Sequence, residues 1–93
     1  MTLKLLLVDD EPLARSRLRT LLADCRQPAA EVAAEAGNAA QAMDQLRRQS
    51  FDAILLDVHM PGADGLALAQ ALRGQPQAPA VVFVTAYAEH AVS

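Results

Sequence analysis

Three apolar runs do not alternate with polar residues: Leu3 to Val8, Ala53 to Leu56 and Ala80 to Val84. Unbroken runs of this length predict strands covered on both faces, as in a parallel sheet. A fourth strand is expected over Glu31 to Ala36, where alanine-rich alternation suits an edge. The stretches between the runs carry helical periodicity. Ala14, Leu18, Leu21, Leu22 and Cys25 form one stripe, with Arg15, Arg17, Arg19 and Asp24 off it, and Pro12 suits the first turn. Ala39, Ala42, Met43 and Leu46 form a second, opened by Asn38 with Gln41 three residues on, a capping-box pattern. Leu68, Ala69 and Leu72 form a third, with Asp64 as the expected N-cap and Gly74 as the stop. A further helix is expected from about Ala88. The order β-α-β-α-β-α-β argues for an open parallel α/β sheet with right-handed crossovers.

Length and charge narrow this picture. The 93 residues suffice for one domain, read as spanning 1–93, with 53% apolar and 3% aromatic residues. A net charge of −3 gives no basis for a nucleic-acid surface. No apolar run reaches the length of about eighteen residues that suggests a membrane span. The N-terminus lacks the layout of a secretory signal, and the lone Cys25 precludes an internal disulfide. A soluble, cytoplasmic domain is expected. Cys25 reads as a packed thiol on helix one, His90 as a surface residue, and Met43 and Met60 as packing. Arg15, Arg17 and Arg19 read as a solvated helix face, the rival being a kinase-docking surface.

The chemistry gathers at strand ends. Asp9 and Asp10 close the first run and Asp57 the third. Ligands of open α/β sheets bind beyond the carboxyl ends of the strands. If these two strands are neighbours, three carboxylates share one crevice, and like charges at roughly 4 Å repel by about 1 kcal/mol even in water. A hard divalent cation is their natural partner, Mg²⁺ above all. The plainer alternative is helix capping, which Asp10 or Glu11 could perform ahead of Pro12. It suits Asp57 poorly, because "VHMPGADG" separates that residue from the next cap at Asp64. Thr85 closes the last run, where its hydroxyl could reach a phosphoryl oxygen.

"LLLVDDEPLAR", "DAILLDVHMPGADG" and "VVFVTAYAEHA", at these separations, resemble the receiver domain of bacterial two-component response regulators. "DDEPLAR" further resembles the subfamily whose receivers precede a LytTR-type DNA-binding domain. The resemblance implies a flavodoxin-like doubly wound sheet of strand order 2-1-3-4-5. It implies Asp57 as phosphoacceptor, with Asp9, Asp10, Asp57 and the backbone carbonyl of His59 holding Mg²⁺. Thr85 matches the switch hydroxyl. The side chains of His59 and Tyr87 match positions that tune phosphoryl lifetime, although Tyr87 also reads as a surface aromatic. Met60, Pro61 and Gly65 match the loop shaping the acceptor turn. A sensor histidine kinase is the implied phosphodonor, and the output a transcriptional one through a DNA-binding domain.

The match departs from the family at one place. The family's active-site lysine ends a fifth strand, whereas the sole lysine here, Lys4, precedes Asp9 by five residues, roughly 16 Å at about 3.3 Å per residue. The sequence stops at Ser93, inside the expected fourth helix, so the fifth strand and last helix are expected to be missing. Weak phosphorylation is expected, as is self-association through the fourth-strand edge or swapped elements. A regulatory phosphoacceptor, not an enzyme, is the leading reading. A Mg²⁺-dependent aspartyl phosphatase is disfavoured because His59 stands where such enzymes carry a second acid. A degenerate receiver that only binds proteins is the third reading.

Overall fold

The computed structural model describes residues 2–26, 29–57, 64–75 and 78–84, with side chains in the third helix from residue 67. The elements are β1 (Thr2–Val8), α1 (Pro12–Ala23), β2 (Ala29–Ala36), α2 (Ala39–Arg48), β3 (Ala53–Asp57), α3 (Asp64–Arg73) and β4 (Ala80–Val84). The strands form one parallel sheet in the order β2-β1-β3-β4. This is the expected order as far as β4, in a flavodoxin-like α/β fold. The β1-to-β2 connection runs one way across the sheet, and the next two run the other way. Right-handed crossovers therefore put α1 on one face and α2 with α3 on the opposite face.

The second face holds the core. Leu6, Val8, Ile54 and Leu56 from the central strands meet Ala42 of α2, Phe51, and Leu68 and Leu72 of α3. Each of the Leu, Val, Ile and Phe side chains contributes roughly 1.5–3 kcal/mol on burial. Leu5 and Leu7 are equally buried but lie outside this cluster, as strand alternation requires. β1 and β3 are thus covered on both faces, which is why their sequences do not alternate.

Helix α1 is covered less than its stripe predicts. Ala14, Leu18 and Leu22 are half-buried, but none of its residues is fully buried, and Leu13 and Leu21 are 69% and 66% exposed. The helix ends at Ala23 with Asp24 as C-cap, so Cys25 falls beyond it and is exposed. The expectation of a packed thiol is therefore corrected: the apolar period continues through Cys25, two residues past the helix end. Strand β2 begins two residues earlier than expected, and a bulge at Ala33 lets it keep register with β1. Asp64 is the first residue of α3 and not its cap.

Asn38 does cap α2, accepting from the Gln41 backbone N–H at 2.8 Å. The reciprocal half of the capping box is altered, because Gln41 Oε1 accepts from the Gly37 N–H at 2.7 Å. The lower end of the sheet is stitched by a side chain. The Asp52 N–H donates to the Lys4 carbonyl, the Lys4 N–H donates to Asp52 Oδ2, and the Ala80 N–H donates to the Asp52 carbonyl.

Candidate metal and phosphoacceptor site

Two adjacent strand ends build the site. Val8 lies opposite Leu56 in the β1–β3 register, so the next step along both chains sets Asp9 beside Asp57. Asp10 follows as the chain turns towards α1. The structure brings these three together: one carboxylate oxygen from each lies within 4.8 Å of the others. Asp9 and Asp57 are buried, at 5% and 6% exposure, while Asp10 is exposed.

Helix capping does not account for the cluster. Glu11 occupies the N-cap of α1, yet its side chain makes no capping hydrogen bond. Asp9 instead turns inward, and its Oδ1 accepts from the Glu11 N–H at 2.9 Å. Burial pushes the Asp9 carboxyl above its ordinary range. The Glu11 N–H opposes that rise, while the charges of Asp57 and Asp10 and a side-chain contact with Asp57 add to it. The site therefore concentrates negative charge partly out of water, an arrangement that favours an added cation. The donor set is all carboxylate oxygen, which suits a hard divalent ion such as Mg²⁺ and no soft metal.

Arg15 was expected on a solvated face, and the structure corrects this. Its side chain is only 20% exposed, and its Nε pairs with Glu35 Oε1 at 3.0 Å. Its Nη1 donates to the main-chain carbonyl of Asp9. Arg19 Nη1 takes the other Glu35 oxygen at 2.6 Å, whereas Arg17 is exposed as expected. Helical spacing alone could not find this network, because Glu35 lies on β2, twenty residues from Arg15.

Lys4 lies where the sequence put it, at the far end of β1, with Nζ 5.6 Å from the Phe51 ring centroid. It is no part of the acidic cluster. His59, Met60, Pro61, Thr85, Tyr87 and His90 lie outside the described residues, as does the onset of the further helix near Ala88. No helix among the described residues is long and apolar enough to cross a membrane.

Known proteins place this geometry. The family model described as "Response regulator receiver domain" matches residues 5–93. An uncharacterised response regulatory protein of Vibrio cholerae is 46% identical over 87 residues, covering 94% of this chain and 33% of its own length. The sensory transduction protein LytT of Enterococcus faecalis is 40% identical over 87 residues, covering 94% of this chain and 35% of its own. The chain thus spans about a third of the length of the curated relatives it matches. Among solved structures, the response regulatory domain of the Klebsiella pneumoniae protein mrkE superposes with a TM-score of 0.74 at 33% identity, covering 96% of this chain and 71% of that one. With its strand order, its acidic strand ends and these matches, the chain belongs to the family of response regulator receiver domains.

Proposed function

We propose that this receiver accepts a phosphoryl group on Asp57, with Mg²⁺ held by Asp9, Asp10 and Asp57. The observation that carries the reading is the convergence of these carboxylates at two adjacent strand ends, two of them buried. An Asp57 carboxylate oxygen attacks phosphorus of a phosphohistidine on a sensor kinase. The new bond is O–P, the P–N bond breaks, and its electron pair leaves on the imidazole nitrogen. Mg²⁺, when bound, offsets the carboxylate charge and spreads the charge developing on the phosphoryl oxygens. The chain's own part is to aim Asp57 along its strand and to keep Asp9 and Asp10 beside it. The main-chain carbonyl of His59 completes the proposed metal shell, Thr85 is the proposed switch hydroxyl, and His59 and Tyr87 tune how long the phosphoryl group survives.

The role is regulatory. The switched output is a DNA-binding transcriptional domain, supported by the "DDEPLAR" motif and by the similarity to the transcriptional regulatory protein BtsR of Salmonella typhi. The setting is cytoplasmic, where a sensor kinase presents its phosphohistidine. Strand β4 is last in the described sheet, with Val82 and Phe83 46% and 48% exposed, which supports self-association through that edge. Sedimentation at high micromolar concentration checks that pairing, and a monomer contradicts it.

The main test is labelling by a small acyl phosphate with Mg²⁺, read by intact mass. One phosphoryl group is expected, absent in Asp57→Asn and absent without Mg²⁺. Labelling that persists in Asp57→Asn overturns the assignment, and multiple turnovers of a phosphate ester would establish a phosphatase instead.

A further inference from the structure

We propose that Arg15 is a positioning residue for the acidic crevice: it fixes the main chain at Asp9 so that the Asp9 and Asp10 carboxylates meet a cation together. The inference rests on the Mg²⁺ reading above and adds a residue to it from outside the carboxylate set.

Hydrogen bonds hold Asp9 at its N–H, its side chain and its carbonyl. Its N–H donates to the Ala36 carbonyl at 3.0 Å, which extends the β1–β2 ladder by one step. Its Oδ1 accepts from the Glu11 N–H. Its carbonyl oxygen accepts from Arg15 Nη1. The first bond sets where the strand ends, and the second sets the rotamer. The third acts on the peptide plane that joins Asp9 to Asp10. That plane is rigid, so fixing its oxygen fixes the direction in which the chain carries Asp10 away from Asp9.

The guanidinium is suited to this by shape more than by charge. Its Nε is committed to Glu35, a carboxylate outside the crevice that it shares with Arg19. Glu35 in turn sits on β2 opposite Leu7 and is held from its other oxygen by Arg19. Arg15 therefore ties helix α1, strand β2 and the end of β1 to one another through a single planar group. Its two donors leave in fixed directions, Nε to the carboxylate and Nη1 to the carbonyl. A lysine ammonium keeps the charge but not that fork.

The experiment is a Mg²⁺ titration by calorimetry of the parent chain, Arg15→Lys, Arg15→Ala and Arg19→Ala. It is paired with the metal-free ¹⁵N shift of the Asp10 amide, which reports the hydrogen bond on the preceding carbonyl. Residues that orient metal ligands alter affinity by roughly 10–100-fold when removed, and a loss of that size is expected for both Arg15 variants. Arg19→Ala breaks the same Glu35 network without touching Asp9. It should bind Mg²⁺ within about twofold of the parent, well below that range. The Asp10 amide should move in Arg15→Lys and stay in place in Arg19→Ala. If Arg15→Ala fails to fold, Arg15→Lys decides, since it retains charge and most of the stem. Parent-like Mg²⁺ affinity in Arg15→Lys overturns the proposal and leaves the Mg²⁺ site standing. A parent chain that binds no Mg²⁺ overturns both.

Discussion

The two ends of the sheet handle charge in opposite ways. At the lower end, around the first residues of β3, the described charges are spread among partners of different kinds. Asp52 accepts from the Lys4 backbone, Lys4 stands over Phe51, and Asp44 pairs with Arg48 at 3.1 Å and Arg47 at 3.8 Å. At the upper end three carboxylates crowd together, and the nearest described arginine spends its donors on Glu35 and a carbonyl. Charges given separate partners close a structure, whereas crowded like charges favour an added cation. The lower end also carries the roomier cavity, about 550 Å³, lined by Arg47, Arg48, Phe51, Gln75 and Pro79 among others. Helices α2 and α3 both finish there, so their carboxyl ends oppose the anion that two arginines would otherwise suggest. The roomier of the two described hollows thus lies at the opposite end of the sheet from the acidic cluster.

The contrast can be broken at several points. Asp57→Asn should remove phosphoryl labelling completely, while Asp52→Asn at the lower end should leave it intact; mass spectrometry of both variants checks this. Mg²⁺ at a hundred times its dissociation constant should stabilise the parent by about 2.7 kcal/mol against urea, and Asp57→Asn by much less. Asp52→Ala removes the exposed bond from the Lys4 N–H to the carboxylate and should cost roughly 0.5–1.5 kcal/mol with or without Mg²⁺. Asp9→Asn relieves repulsion and should stabilise the metal-free chain, on the order of 1 kcal/mol, the size of one such contact in water. Asp44→Ala loses only exposed pairs and should change stability by less than about 1 kcal/mol.

Acidity sharpens the same contrast more finely. The Asp9 carboxyl lies above its ordinary range in the fold, chiefly through burial. The folded metal-free chain therefore holds that proton more readily than the unfolded chain. Its contribution to stability is greatest with Asp9 protonated. It declines as pH rises from the ordinary carboxylate range through the raised value of the folded state. Urea melts at stepped pH in chelator should show this decline, and saturating Mg²⁺ should flatten it.

Much of this was legible in the sequence, for identifiable reasons. β1 and β3 are buried on both faces, so Leu5 to Val8 and Ala53 to Leu56 advertise themselves as unbroken apolar runs. Asp9, Asp10 and Asp57 stood out because each ends such a run. Helix α1 was read less well. Its apolar positions continue the period through Leu21 and Cys25, but the helix stops at Ala23 and only the line through Ala14, Leu18 and Leu22 meets the sheet. Arg15 was beyond sequence reasoning altogether. An arginine on a helix looks solvated until the strand bearing Glu35 is known to pass beside it, and its second acceptor is a main-chain carbonyl that no residue type announces.

The most direct test of the central claim is a Mg²⁺ titration followed residue by residue through backbone amide NMR. Saturable shifts centred on Asp9, Asp10 and Asp57, with Asp44 and Asp52 unmoved, are what this account predicts. Shifts that never saturate, or that fall equally on Asp44 and Asp52, would contradict it.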